Sequence, residues 1–175
     1  MTKVLFIGKT GSGKTTLCQW LHEQTPKYQK TQAVTYFEDA IDTPGEYLEQ
    51  RGFYSALMVT ACDADLIALV ADPTAEENFL PVGFSGAFTK PVVGIVTKRR
   101  QADSAAIRRA ERSLADAGAR QIFVVDTLFG DGLAALRQTI EMADILNSNC
   151  DRRVLSDRWI KPGDIARFRD IKDYN

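Results

Sequence analysis

Gly8-Lys-Thr-Gly-Ser-Gly-Lys-Thr15 follows directly on the apolar run Val4-Leu-Phe-Ile7 and leads into Thr15 to Glu23, a polar and apolar pattern that suits a helix. The string fits G-x-x-x-x-G-K-[ST] in full, in the strand, turn and helix setting that pattern requires. Glycines open backbone conformations closed to other residues, so consecutive amides can turn inward around phosphate oxygens, and the helix N-terminus adds its dipole. Lys14 then supplies a point charge between β- and γ-phosphates, and the Thr15 hydroxyl is placed to coordinate Mg²⁺. Gly8, Lys9, Thr10, Gly11, Ser12, Gly13, Lys14, Thr15 and Thr16 are therefore the expected phosphate-binding set.

Moving outward, the same alternation recurs. Leu66-Ile-Ala-Leu-Val-Ala71, Pro91-Val-Val-Gly-Ile-Val96 and Gln121-Ile-Phe-Val-Val125 are nearly all apolar, as parallel strands covered on both faces must be. Between them Asp103 to Ala117 has helical period, with Ile107, Ala110 and Leu114 on one face and Gly118 where a left-handed cap belongs. Leu133, Leu136, Ile140 and Ala143 repeat the spacing up to Leu146, and Tyr47 to Ala61 is a further helical candidate. The rhythm predicts an α/β domain of three layers around a mainly parallel sheet, spanning residues 1–146. Tyr36 to Ile41 is a poor strand for one that must deliver Asp42. Residues 147–175 change character, with seven Lys or Arg against five Asp or Glu, and a short helix is expected from Pro162, with a docking role as one reading and a packed appendage as the other.

Composition excludes more than it proposes. In 175 residues, 22 basic side chains face 23 acidic ones, which gives no overall pull toward nucleic acid or an anionic membrane. One histidine (His22) and three scattered cysteines disfavour a zinc enzyme, a disulfide scaffold and a histidine-based hydrolase. Val4 to Ile7 is too short for a signal segment, and no apolar stretch approaches the roughly 20 residues that span a bilayer, so the cytoplasm is the expected compartment.

Asp42-Thr-Pro-Gly-Glu46 is the second constellation, and D-x-x-G downstream of such a loop resembles the second switch of the Ras-like GTPase superfamily. That resemblance implies that Asp42 holds Mg²⁺ through water and that the Gly45 amide senses the γ-phosphate. Thr31, between the two motifs, is where a switch-one threonine would complete the Mg²⁺ shell, with Thr25 and Thr35 also nearby. Glu46 stands where the superfamily has the glutamine that orients water; a carboxylate is repelled by γ-phosphate, so hydrolysis is expected to be slow, and Glu46 is read as a base or as a solvated side chain. Thr97 and Lys98 match the base-recognition motif [NT]-K-x-D, but Arg100 replaces its aspartate, which leaves guanine selectivity open; Asp103 substitutes only if the loop re-registers. Asp126 and Thr127 occupy the Ser-Ala positions of the last base loop, ahead of the Gly130 and Gly132 turn.

Together with Lys30-Thr-Gln-Ala-Val34, Ile41 to Tyr47 and Tyr54-Ser-Ala-Leu57, these strings resemble the EutP/PduV family of ethanolamine and propanediol utilisation over about residues 1–146. The resemblance implies a P-loop protein of GTPase-like fold that binds ATP or GTP with Mg²⁺. It also implies acetate kinase activity or a link to the bacterial microcompartment surface. An acetate acceptor needs a cation near the γ-phosphate, for which Lys9, Lys27 and Lys30 are candidates. The functional expectations are then an enzyme of Mg²⁺-dependent phosphoryl transfer, with Lys14, Thr31 and Glu46 as the reactive set, or a nucleotide-gated module whose segments Lys27 to Thr35 and Gly45 to Phe53 change order and recruit it to a compartment shell or associated enzymes.

Overall fold

In a computed structural model the residues described are 2–24 and 30–149. Among these residues six strands form one sheet: β1 (Val4–Gly8), β2 (Thr35–Tyr36), β3 (Ala40–Asp42), β4 (Leu66–Ala71), β5 (Val92–Val96) and β6 (Ile122–Val124). Their order is β2-β3-β1-β4-β5-β6, and every pair is parallel except β2 with β3. The buried strands β1, β4 and β5 pair in continuous register, from Val4 against Leu66 to Gly8 against Val70 and from Ile67 against Val92 to Ala71 against Val96.

Two apolar layers explain why these strands lack polar alternation. Leu5, Ile7, Ile67 and Leu69 pack on one face with Leu57 and Ala61 of α3 (Tyr54–Cys62) and Ala110 and Leu114 of α4 (Ser104–Asp116). Val4, Phe6, Leu66, Ala68 and Val70 pack on the other with Leu17 and Cys18 of α1 (Lys14–Leu21) and Leu133 and Leu136 of α5 (Leu133–Asn149). A strand covered on both sides gains from apolar residues at every position. The three-layer, mainly parallel α/β architecture is thus the one the sequence predicts.

Two local expectations change. The helix expected from Tyr47 to Ala61 is instead α2 (Glu46–Glu49), an extended Gln50, a 3₁₀ turn at Arg51–Phe53 and then α3. Gln50, at φ −119° and ψ 115°, ends the first turn and lets the chain change direction over the sheet edge. The poor strand from Tyr36 to Ile41 divides into β2 and β3, joined by a tight turn in which Phe37 N–H donates to Ala40 O at 2.8 Å. Only β3 is buried, held against β1 from Val4–Ala40 to Phe6–Asp42, so β1 supplies the support that the segment's own sequence lacks. The candidate helix from Pro162 lies outside the described residues, whereas α5 itself runs to Asn149.

The strand order turns at β1: the chain proceeds to β3 on one side and to β4 on the other. The loops leaving the carboxyl ends of β1, β3, β4 and β5 therefore gather along one edge, the usual ligand crevice of an open α/β sheet. These loops carry residues 8–14, 43–45, 72–78 and 97–101.

Candidate phosphate and metal site

The loop after β1 is built around Lys14, which is only 5% exposed. Its Nζ donates to the carbonyls of Gly8 and Lys9, both at 2.8 Å, so the backbone curls around its own lysine. Gly13 takes φ 97°, a left-handed value that lets the loop turn into α1. Burial lowers the Lys14 ammonium from its ordinary value to about 8, against the opposing pull of the Asp42 and Glu49 carboxylates. A cavity of about 200 Å³ opens over this loop, lined among others by Thr10, Gly11, Thr15, Thr16, Thr31 and Lys98.

Two hydroxyls from the lining of that cavity, Thr15 and Thr31, converge on the buried Asp42. Asp42 Oδ2 accepts from Thr15 Oγ1 at 2.7 Å and from Thr31 Oγ1 at 2.6 Å, and the two hydroxyls lie 2.9 Å apart. Thr31 thus joins the cluster, whereas Thr35 hydrogen-bonds its own backbone neighbourhood through Ala33 O; Thr25 lies outside the described residues. Asp42 is 2% exposed and its Oδ1 has no hydrogen-bond partner. A buried carboxylate oxygen without a donor is costly unless something cationic meets it. Hard oxygen donors of this kind, few in number, fit Mg²⁺, which keeps most of its shell for phosphate and water. Thr43, a position the sequence reading passed over, anchors the strand end by donating to Phe6 O at 2.7 Å.

The carboxylates after Asp42 divide unexpectedly. Glu46 pairs with Lys30 at 2.9 Å, each about half exposed, and makes no hydrogen bond to the oxygen cluster. Glu49, one helical turn later, accepts from the Thr10 amide at 2.7 Å and is the carboxylate that touches the loop. Sequence reasoning stopped at Glu46 because it stood next to the motif glycine; an i, i+3 check along the first turn marks Glu49 as its neighbour. Gly45 packs so closely on Thr10 that a Cβ there would overlap the Thr10 amide nitrogen, Cα and Oγ1. Of the lysines considered for an acceptor anion, Lys30 is engaged by Glu46, Lys9 lies 5.7 Å over the Phe79 ring and Lys27 is outside the described residues.

The loop after β5 also borders the cavity, through Lys98. Thr97 is buried and donates to Ser12 O at 2.7 Å, tying the two loops together. Lys98, at φ 51°, reaches Asp72 Oδ2 at 2.5 Å. Burial works against ionisation of Asp72, but the Lys98 ammonium and the Thr74 hydroxyl and amide outweigh it and hold the carboxyl below the usual range. Asp72 was not singled out from sequence, since a lone aspartate after an apolar strand carries no motif.

Arg100 is locked rather than free. Its Nε and Nη2 donate to the two carboxylate oxygens of Asp131 at 2.8 and 3.2 Å, its guanidinium lies 4.2 Å from the Phe129 ring centroid, and its amide donates to Asp126 Oδ2 at 3.1 Å. The re-registered role for Asp103 is corrected by its geometry: it is the N-cap of α4, with Oδ1 accepting from Ala106 N at 2.7 Å. Asp126 in turn accepts from Leu128 N at 3.2 Å, so the loop after β6 is closed by its own carboxylate.

Residues 1–142 match the family described as "Ethanolamine utilisation - propanediol utilisation" (PduV-EutP). Among curated relatives, the chain is 42% identical over 133 residues to a propanediol utilization protein PduV of Citrobacter freundii, covering 76% of this chain and 89% of that one. It is 35% identical over 113 residues to a probable acetate kinase EutP of Escherichia coli, covering 62% of this chain and 71% of that one. Among solved structures, a bacterial selenocysteine-specific elongation factor superposes with a TM-score of 0.63 at 20% identity over 86% of this chain. The elongation factor SelB of Methanococcus maripaludis, solved with a GTP analogue, gives 0.57 at 20% identity over 82%. This chain spans 29% and 34% of those two structures, and at that identity the likeness shows a GTPase-like fold.

Proposed function

We propose, from the premise that the chain belongs to the ethanolamine and propanediol utilisation family, that it binds the Mg²⁺ complex of a nucleoside triphosphate over residues Gly8 to Thr16 and slowly transfers the terminal phosphoryl group. The acceptor is water or a small carboxylate such as acetate. The observation that carries this reading is the convergence of Thr15, Thr31 and the unpartnered Asp42 Oδ1 beside a buried Lys14.

Lys14 binds and neutralises charge between the outer phosphates, and the amides of the loop orient them. Thr15, Thr31 and Asp42 would hold the metal, which would offset the charge that develops on the phosphate oxygens. An acetate oxygen attacking the terminal phosphorus forms one P–O bond while the bond to the diphosphate breaks, and no proton has to move. Water has to lose one, and Glu46, paired with the Lys30 ammonium, is a weakened base for receiving it. That asymmetry favours a carboxylate acceptor over hydrolysis. Relatives described as probable acetate kinases support the same acceptor. Turnover with Mg²⁺ and ATP or GTP is expected to exceed the water rate when acetate is added. Tight binding with negligible turnover under both conditions points instead to the nucleotide-gated module.

That second reading has its own support: α2 is a single turn seated on the loop through Gly45, and Phe53 and Val59 beyond it are exposed. A change in the nucleotide would move this segment first, and the surface it carries would engage a microcompartment shell or an associated enzyme in the cytoplasm. No helix among the described residues is long and apolar enough to cross a membrane.

Base preference follows from Arg100. With donors only, two of them engaged by Asp131, it cannot accept from guanine N1 and N2. The protein is therefore expected to bind ATP at least as well as GTP. Arg100→Asp alone would set three carboxylates together, so the informative variant is R100D with D131N, which is expected to raise the GTP-to-ATP affinity ratio about tenfold, the worth of one good bidentate contact. Competition binding with both nucleotides measures it, and an unchanged ratio would show that the base does not sit against this loop.

A further inference from the structure

The Glu49 carboxylate touches the cradle but has no part in the phosphoryl-transfer reading. Its Oε1 accepts the Thr10 amide at 2.7 Å, and it is one of the two carboxylates that act on the Lys14 ammonium. Which part of a nucleotide would need that amide follows from the neighbours of the loop. The base-side loop meets Ser12 and Gly13: Thr97 Oγ1 bonds Ser12 O, and a Cβ on Gly13 would lie 3.3 Å from Thr97 Cγ2. Thr10 sits on the opposite flank, under Gly45, and shares the cavity lining with Thr31. A nucleotide laid with its base toward Thr97 and Lys98 ends its phosphate chain toward Thr10.

We propose that Glu49 is a built-in substitute for the terminal phosphate: it satisfies the Thr10 amide when the cradle is empty or holds a diphosphate, and a triphosphate expels it. The inference rests on the nucleotide reading above and adds what selects the phosphate number. A loop amide directed at an anion is best satisfied by a charged acceptor, and a carboxylate makes such bonds short, as here. A γ-phosphate and the Glu49 carboxylate carry the same charge and compete for one donor, so both cannot be seated together. Because Glu49 ends the single turn of α2 that starts at Gly45 on the same Thr10, its expulsion frees α2 and the 3₁₀ turn at Arg51–Phe53 as a unit. The exposed Phe53, stacked on Tyr47 with centroids 4.9 Å apart, then reports nucleotide state at the surface.

The test compares the unmodified protein with Glu49→Gln, which keeps the shape and a neutral acceptor, and Glu49→Ala, which removes both. Calorimetry with Mg²⁺ and either a slowly hydrolysed ATP analogue or ADP gives the ratio of triphosphate to diphosphate affinity. Both variants are expected to raise that ratio about tenfold through the triphosphate alone, the scale of one partly screened like-charge contact. The Thr10 amide proton, followed by NMR without nucleotide, is expected to move upfield in Glu49→Ala as it loses its carboxylate. An unchanged affinity ratio, a weaker triphosphate, or a Thr10 resonance that does not move overturns the proposal. Absence of any nucleotide binding by the unmodified protein, in contrast, overturns the nucleotide reading itself.

Discussion

Lys14→Ala is expected to lower nucleoside triphosphate affinity on the order of 100-fold or more, because it removes a buried cation from a site whose other groups are aimed at an anion. The protein should still fold. The Lys14 ammonium donates to the Gly8 and Lys9 carbonyls, but its burial already depresses its ionisation, which is the mark of a charge held at some cost for a ligand. The same fact gives a pH dependence with a definite sign. In the free protein Lys14 loses its proton as pH rises through about 8, while bound phosphate raises that value and keeps the proton on. The bound state then holds more protons than the free state above pH 8, so affinity falls with rising pH, by at most about tenfold per pH unit. Below that range Lys14 is charged in both states and contributes no slope. Isothermal titration across pH 7 to 9.5 measures this; Lys14→Ala should lose both the affinity and the slope, and a variant that keeps the affinity would remove Lys14 from the site.

Gly45→Ala is expected to destabilise the fold by about 1–3 kcal/mol, the ordinary cost of overpacking, and to lower Tm by roughly 3–10 °C. Here the backbone angles are helical, φ −60° and ψ −30°, so any residue tolerates them. What demands glycine is space: a Cβ would occupy the positions of the Thr10 amide nitrogen and Cα, and neither is the end of a flexible side chain. Relief comes by lifting α2 off the loop or by distorting the loop itself. Hydrogen exchange should therefore quicken over residues 46–53 and around Thr10 before it does elsewhere, and a Tm within a degree of the unmodified protein would show that the contact is not fixed in solution.

How much of this was legible beforehand depended on the reach of each interaction. The strands at Val4, Leu66 and Val92 were readable because full burial writes itself into consecutive residues. The loop at Gly8 to Thr15 was readable because its chemistry is local, with glycines, lysine and threonine all within eight positions. Asp103 capping α4 and Gly118 ending it obey the same short-range logic. The helix expected from Tyr47 to Ala61 failed because its apolar residues serve two elements, and the break at Gln50 is set by where Gly45 and the sheet edge hold the ends.

The sequence by itself determined the α/β class, the phosphate loop and the membership of Asp42 in a second motif, since each is encoded over a few neighbouring residues whose backbone and burial preferences agree. Only the tertiary structure decided which side chains share that loop. Thr31 rather than Thr35 joins Asp42, Glu49 rather than Glu46 takes the Thr10 amide, and Arg100 is closed onto Asp131. These partners lie 11, 39 and 31 positions apart, and no local preference specifies a contact at that range. It is fixed by strand register and by a glycine without room for a methyl group, both properties of the packed sheet edge.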